Sequence, residues 1–397
     1  MSEVGRAHLG RRPVIKLLRS PQRHFERYRE WQWIKHTVFG DYVVPWSRML
    51  GKISREIFVV DACAGAGTYV GPDGEVIPGS PLIAGQAAIE YQATFPGRRM
   101  TVICVERDRG NFEQLTAAMH RYRSVSNLFQ GDFADVHDQI RHILGGAPAL
   151  VLLDPFGLKD ITAERCRPLL QRLPKTDVFV VVIMTVLHRV AGQMLMNGLP
   201  NPAIPGAAKN VENITAFFGT DAWIAIALRR DLNREEKENL YIDLYFQSVL
   251  GKRYAYKSAY EVRSRYQGPI KYWLVHASSH QNAVWLMNDS IVKVDETLMF
   301  KTYQDPGLLP GFGEASLEAY RAGTFSELQA AILDAIRAKG GTVTFDQLRW
   351  LLVPEKFGKV KEAAYARAVK GLVREKKLLR QQRPAAKLEL NEKLSLP

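Results

Sequence analysis

Residues 57–81 constrain this chain more than any other stretch. An apolar run, Ile57-Phe58-Val59-Val60, meets an acid and closely spaced glycines in Asp61-Ala62-Cys63-Ala64-Gly65-Ala66-Gly67, and the segment closes on Gly79-Ser80-Pro81. A short β-rich run that stops so abruptly reads as a buried parallel strand turning sharply at its carboxyl end. Open α/β sheets bind their ligands at that end. Glycines there let the backbone approach a bound molecule, and Asp61 offers a carboxylate to a hydroxyl or an amine. Two ligands compete for this pattern. A dinucleotide fold of the dehydrogenase type needs a third glycine where Val70 stands, and a ribose acid about 20 residues further on. The next strand-end acid, Glu106, lies well beyond that point. An S-adenosylmethionine site needs an acid ending strand one, glycines in the turn and a second acid ending strand two, and all three are present.

The later strand ends extend the second reading. Strand two, residues 100–105, runs into Glu106-Arg107-Asp108, where Glu106 can accept both ribose hydroxyls. Strand three, residues 127–129, ends in Gly131-Asp132-Phe133. That pair suits an adenine ring, with a carboxylate for the amine and a phenyl for the face; it equally suits a loop acid beside a core phenylalanine. The expected cofactor contacts are Asp61, Cys63, Ala64, Gly65, Gly67, Glu106, Arg107, Asp132 and Phe133. Strand four, Ala149–Leu153, leads into Asp154-Pro155-Phe156-Gly157. Methylating an exocyclic amine requires holding the NH2 so that its lone pair, normally delocalised into the ring, points at the methyl sulfonium. Asp154 and the carbonyl of Pro155 can accept the two N–H bonds, Phe156 can stack on the base, and Gly157 completes the expected catalytic turn. A plain chain reversal is the alternative, since Asp-Pro and Phe-Gly both mark turns.

Strand five, residues 178–184, is wholly apolar and reads as buried on both faces. Residues 188–206 read as a loop and short helix over the substrate side. Residues 213–229 and 233–250 read as helices, residues 254–262 and 270–277 as the last strands, and a further helix follows His280. Ser80 reads as a helix cap with Pro81 at the first position. The intervening loop, residues 68–79, is a lid, a substrate loop or a surface excursion.

The chain has 397 residues and a formal net charge of +13, with 46% hydrophobic residues. Its isoelectric point of about 9.6 favours a polyanionic partner such as DNA or RNA. No run reaches the roughly 18 apolar residues of a membrane span, and no apolar signal core follows Arg6, Arg11 and Arg12, so a cytoplasmic protein is expected. Cys63, Cys104 and Cys166 are far apart and form no metal-binding pattern, so no metal site is expected and the thiols read as reduced. Residues 1–50 form a basic arm and a helix that starts at Ser20-Pro21. Its Lys35-His36 either packs on the domain or faces the cofactor mouth. Residues 51–305 form the α/β domain, 306–323 a Gly/Pro-rich linker and 324–397 a tail. The tail reads as helices over 326–338, 344–351 and 359–374, then a hairpin of Leu378-Leu379 with Leu388-Glu389-Leu390 across Arg383-Pro384. That is a winged helix. Lys361, Arg367, Lys370, Arg374 and Arg383 are its candidate nucleic-acid contacts; a solvated helix in a protein-binding winged domain is the alternative.

Taken together, Asp61-Ala62-Cys63-Ala64-Gly65-Ala66-Gly67, Gly79-Ser80-Pro81-Leu82-Ile83-Ala84, Val105-Glu106, Gly131-Asp132 and Asp154-Pro155-Phe156-Gly157 resemble the three-Cys-motif partner protein family. The resemblance spans roughly residues 20–300. It implies a Rossmann-like class I S-adenosylmethionine-dependent methyltransferase fold and a radical-SAM-like partner protein bearing three cysteines. The Gly-Ser-Pro-Leu-Ile-Ala stretch is also similar to that of the large-subunit ribosomal RNA adenine-N6 methyltransferase, which carries Asp-Pro-Pro-Tyr at strand four. Phe156-Gly157 depart from it towards the pattern of tRNA guanine-N2 methyltransferases, so the target base stays open. The expectation is an enzyme that methylates nucleic acid on nitrogen, set against a nucleic-acid-binding or scaffolding protein whose methyltransferase domain is catalytically weak.

Overall fold

A computed structural model describes residues 28, 30–71, 73–155, 157–172, 175–197, 206–263, 268–303, 311–382 and 386–397. The chain opens with α1 (Glu30–Leu50), β1 (Glu56–Asp61), β2 (Thr68–Val70), β3 (Val76–Pro78), α2 (Ser80–Thr94) and β4 (Arg99–Glu106). It continues through α3 (Arg109–Met119), β5 (Ser126–Gln130), α4 (Phe133–Leu144), β6 (Ala149–Leu153), α5 (Ala163–Leu170), β7 (Thr176–Val182), α6 (Thr185–Asn197) and α7 (Ala207–Phe218). Next come α8 (Trp223–Ala227), α9 (Arg234–Tyr245), β8 (Tyr256–Arg263), β9 (Ile270–Ser278) and α10 (Gln281–Thr302). The tail holds α11 (Phe312–Ala338), β10 (Thr342–Thr344), α12 (Phe345–Lys356), α13 (Glu362–Arg374), β11 (Leu379–Arg380) and β12 (Lys393–Ser395).

Side chains of β1 alternate between two cores, Phe58 and Val60 into one and Ile57 and Val59 into the other, which makes it a central strand covered on both faces. The sheet has seven strands in the order β5-β4-β1-β6-β7-β9-β8. The β5-β4-β1-β6-β7 run is parallel, and β9 lies antiparallel to both β7 and β8. This is a Rossmann-like doubly wound sheet. Helices α1, α2, α3 and α10 contribute to one core, and α4 to α9 to the other. The chain builds outward from β1 through β4 to β5, then returns to place β6 on the other side of β1. The carboxyl ends of β1, β4 and β6 therefore meet at the topological switch point, where such sheets bind ligands.

Several sequence expectations shift in detail. The loop and short helix expected over 188–206 hold a helix, but it is α6, which starts earlier, at Thr185, and runs through Asn197. The expected 213–229 helix is split into α7 and α8 by Gly219, whose φ of +67° ends α7 in a left-handed turn. Residues 68–79 form the β2–β3 hairpin, clasped at its base where the Gly79 amide donates to the Gly67 carbonyl at 2.8 Å. Gly79, not Ser80, stands at the N-cap of α2, and the Ser80 hydroxyl turns to Asp61 instead. The expected helix start at Ser20-Pro21 and part of the expected linker lie outside the described residues.

The tail departs most from expectation. Helix α11 already begins at Phe312, inside the stretch expected as a linker. The wing pairs β11 with β12 rather than with residues 388–390, in the register Leu379↔Ser395 and Arg380↔Leu394. The cause is a buried ion pair: the Arg380 guanidinium grips Glu392 at 2.7 Å, with side chains 1% and 2% exposed. That pair fixes the turn of Glu389 to Glu392 and delivers Leu394 to the core. The tail is also fastened to α10. Asn288 donates to the Val360 carbonyl and accepts from the Gly358 amide, both at 2.9 Å. Trp285 packs its ring 5.4 Å from those of Trp350 and Tyr365, so α10 supplies part of the tail's own core.

Candidate functional site

The turn after β1 is held by the acid at the end of β4. Gly65 (φ +61°) and Gly67 (φ +78°) both take the left-handed conformation, and a Cβ on Gly67 would press within 3.0 Å of Leu115. The Gly65 amide donates to Glu106 Oε2 at 2.8 Å, and the Asp108 amide to Oε1 at 2.7 Å. Each Glu106 oxygen thus has one backbone partner and an acceptor site to spare. Beside it a pocket opens, lined by Ala62, Cys63, Val105, Glu106, Arg107, Gly131, Asp132, Phe133 and Asp160. Five of these, Cys63, Glu106, Arg107, Asp132 and Phe133, are expected cofactor contacts, and Ala62, Val105 and Gly131 are their immediate neighbours along the chain. Ala64 is buried and packs in the core on the α2 side of the sheet.

Asp132 and Arg107 have protein partners of their own. Asp132 caps α4 by accepting from the Ala134 amide at 3.0 Å. Arg107 reaches Asp160 at 2.8 Å and Asp132 at 3.6 Å, tying the end of β4 to the segment after Gly157. Asp160, which the sequence reading did not single out, pulls the Arg107 guanidinium pKa above its usual value. Phe133, the first residue of α4, is buried and forms an apolar wall of the pocket.

At the end of β6, Asp154 meets Lys35 of α1. The Lys35 ammonium bonds Asp154 Oδ2, with side chains 10% and 15% exposed. Burial by itself lowers the Lys35 pKa, but Asp154, Tyr69 and Asp61 outweigh it and the net shift is upward, so Lys35 stays charged. Asp61 lies in the same cluster. Burial pushes its carboxyl up to about 7 and the Asp154 charge adds to the rise, while Ser80, the Cys63 amide and Lys35 hold it back. Its Oδ2 is buried and without a partner among the described residues, a costly state for a carboxylate. Tyr69 of the hairpin closes the cluster, its ring 5.1 Å from that of His36 and 5.4 Å from that of Tyr28. His36 is kept neutral, its pKa well below the usual value through burial and the neighbouring Lys35.

Lys35 thus bonds Asp154, while His36 packs beside it against Tyr28 and Tyr69. Lys35 lies inside the continuous buried run Trp33-Ile34-Lys35-His36 of α1. A buried lysine demands an anionic partner. Pro155 is buried, Gly157 is extended with open space where a Cβ would stand, and Phe156 lies outside the described residues. Among the described residues no group of three or more His, Cys, Asp or Glu could hold a metal ion.

The expected nucleic-acid contacts divide. Arg367 and Arg374 are exposed on α13, and Lys370 is half-buried beside them. Lys361 is instead drawn to Glu296 of α10 at 3.0 Å and serves the seam between tail and sheet domain. Arg383 lies outside the described residues.

No protein-family model matches this chain, and no curated protein matches it. Among solved structures it is similar to protein LPL1258 from Legionella pneumophila, at 11% identity and a TM-score of 0.42, over 70% of this chain and 94% of that one. It is also similar to the O-methyltransferase TomG from Streptomyces achromogenes in complex with SAM, at 14% identity and a TM-score of 0.30, over 61% and 79% of the two chains. A third likeness is to M. jannaschii TYW2 in complex with AdoMet, at 12% identity and a TM-score of 0.26, over 60% and 75%. At TM-scores of 0.42 and below, these likenesses bear on neither substrate nor chemistry.

Proposed function

We propose that the chain is a cytoplasmic S-adenosylmethionine-dependent methyltransferase that methylates an exocyclic base amine in nucleic acid. The observation that carries this reading is Glu106, anchored through the amides of Gly65 and Asp108 at the mouth of an apolar-walled pocket, two strands from Asp154. The residues fit the cofactor. Glu106 has acceptor sites left for ribose hydroxyls, Phe133 and Val105 offer apolar walls to the adenine, and the unpartnered Asp61 Oδ2 awaits a donor. S-adenosylmethionine, when bound, supplies an electrophilic methyl group. Asp154 accepts one N–H of the substrate amine and the Pro155 carbonyl the other, which frees the nitrogen lone pair from the ring. Lys35 holds Asp154 in place through Oδ2.

The tail joins this reading as a winged helix. Its elements run helix, strand, helix, helix, strand, strand around one core, and α13 presents Arg367 and Arg374 to a phosphate backbone. The resemblance set out above adds a three-Cys-motif radical-SAM-like protein as a partner, to be tested by co-purification with such a protein. A second reading, a nucleic-acid-binding or scaffolding protein with a weak catalytic domain, draws on Lys35 already occupying Asp154.

Calorimetric titration with S-adenosylmethionine and S-adenosylhomocysteine, followed by transfer of labelled methyl to nucleic acid, tests the reading. Heat with both ligands and label in a base is expected; silence with both selects the binding protein. Asp154→Ala is expected to lower single-turnover transfer roughly 10²-fold or more while cofactor affinity holds, by analogy with other positioned polar groups. Near-normal transfer in that variant would reduce Asp154-Pro155-Phe156-Gly157 to a turn.

A further inference from the structure

We infer that Lys35 determines specificity: its ammonium and the Asp154 carboxylate form a donor–acceptor pair that selects a base presenting an exocyclic amine beside an unprotonated ring nitrogen. The inference rests on the methyl-transfer reading above and names the substrate edge that its site takes. Lys35 comes from α1 and Asp154 from the end of β6, so two distant parts of the chain bring the pair together. Neither side chain is spent by the contact. An ammonium carries more N–H donors than one carboxylate oxygen uses, and Asp154 is its partner among the described residues. On Asp154 the ammonium takes Oδ2, leaving Oδ1 for another donor.

A stability role alone explains the pair poorly. Two charges taken from water cost more than an apolar pair of similar volume, and here the cost falls at the ligand end of the sheet rather than in its middle. The cluster also holds Asp61 with a buried oxygen unpartnered among the described residues, so it is arranged for a ligand rather than for internal satisfaction. An exocyclic amine donates to Asp154, and the ring nitrogen next to it, when unprotonated, accepts from Lys35. Adenine presents this edge as N6 and N1, cytosine as N4 and N3, and guanine as N2 and N3. Donation to the ring nitrogen draws electron density away from the amine, so this contact serves recognition rather than activation.

The test pairs each base with its deaza analogue in short oligonucleotides: adenine with 1-deazaadenine, cytosine with 3-deazacytosine, guanine with 3-deazaguanine. Methyl transfer is read as kcat/KM for the full-length protein and for Lys35→Met, a side chain of similar length, with folding of the variant checked by cofactor titration. With the native protein, one base is expected to be methylated and its deaza analogue to lose about 10- to 100-fold in kcat/KM, the range for a hydrogen bond to a charged group. In Lys35→Met, base and analogue are expected to become equivalent. Transfer that ignores the ring nitrogen in the native protein, or that still discriminates in Lys35→Met, overturns the inference while leaving methyl transfer intact. Absence of transfer to all three bases overturns both. Should Lys35→Met fail to fold, the native comparison still decides, since equal rates on base and analogue leave Lys35 no ring nitrogen to read.

Discussion

Glu106 is placed to serve two structures at once, the glycine turn and a bound ligand. Replacing it with alanine strands the amides of Gly65 and Asp108, so Glu106→Ala is expected to weaken cofactor binding by about 1–3 kcal/mol and to lower folding stability as well, since lost charged hydrogen bonds act in both. Calorimetry and urea unfolding measure the two effects; unchanged cofactor affinity would refute the strand-two assignment. A different residue governs the acid response. His276 of β9 is buried against Tyr42, with Nδ1 unpartnered among the described residues, and burial pushes its pKa down to about 3. Between its ordinary value of 6.5 and about 3 the unfolded chain binds the proton that the folded chain refuses, so stability falls as pH drops through that window. From pH 6.5 to 5 this costs about 2 kcal/mol, which should largely vanish in His276→Gln. Asp61 acts in the opposite sense. Its raised carboxyl makes the folded state the better proton binder between 3.8 and about 7, so only the difference between variant and native protein isolates His276. Asp61, Glu106 and Asp154 were legible from sequence because each follows an apolar run directly. Lys35 was not, since its partner is 119 positions away and spacing along α1 carries no trace of it.

At the level of elements, the seam between α10 and the tail has its own energetics. Asn288 satisfies the Val360 carbonyl and the Gly358 amide in a buried setting, so Asn288→Ala leaves both without partners and is expected to cost about 1–3 kcal/mol. Thermal unfolding should show the native protein melting in one transition and the variant melting earlier; an unchanged midpoint would mean that the seam contributes nothing. The same seam makes a cut at residue 324 a poor test of the tail, because it severs α11 and uncovers Val284 and Trp285. The parallel strands were readable because buried parallel strands are continuous apolar runs between turn signals; their order in the sheet comes from the structure. The ends of α11 and the partner of β11 were not. Glycine and proline density suggested a linker where α11 begins, and the β11 register depends on Arg380 finding Glu392, a long-range pair without a local signature.

For the molecule as a whole, the net charge of +13 predicts nucleic-acid affinity that falls steeply with salt. Arg367→Glu combined with Arg374→Glu should weaken binding across all sequences and flatten the salt dependence, while leaving cofactor binding untouched, because α13 belongs to the tail core and not to the sheet. Fluorescence anisotropy across a salt series checks this; a slope that does not change would remove α13 from the interface. The clasp between Gly67 and Gly79 carries a further consequence. Tyr69 and Ile77 anchor the base of the hairpin in the core, whereas Val70 and Val76 at its tip are 52% and 71% exposed. Beyond the clasp the hairpin closes on itself, with Val70 opposite Val76 and the Gly71 amide donating to the Glu75 carbonyl at 2.8 Å, so its tip makes its own hydrogen bonds. The described tip residues are therefore a place where length and sequence can change while the strands behind it keep their order.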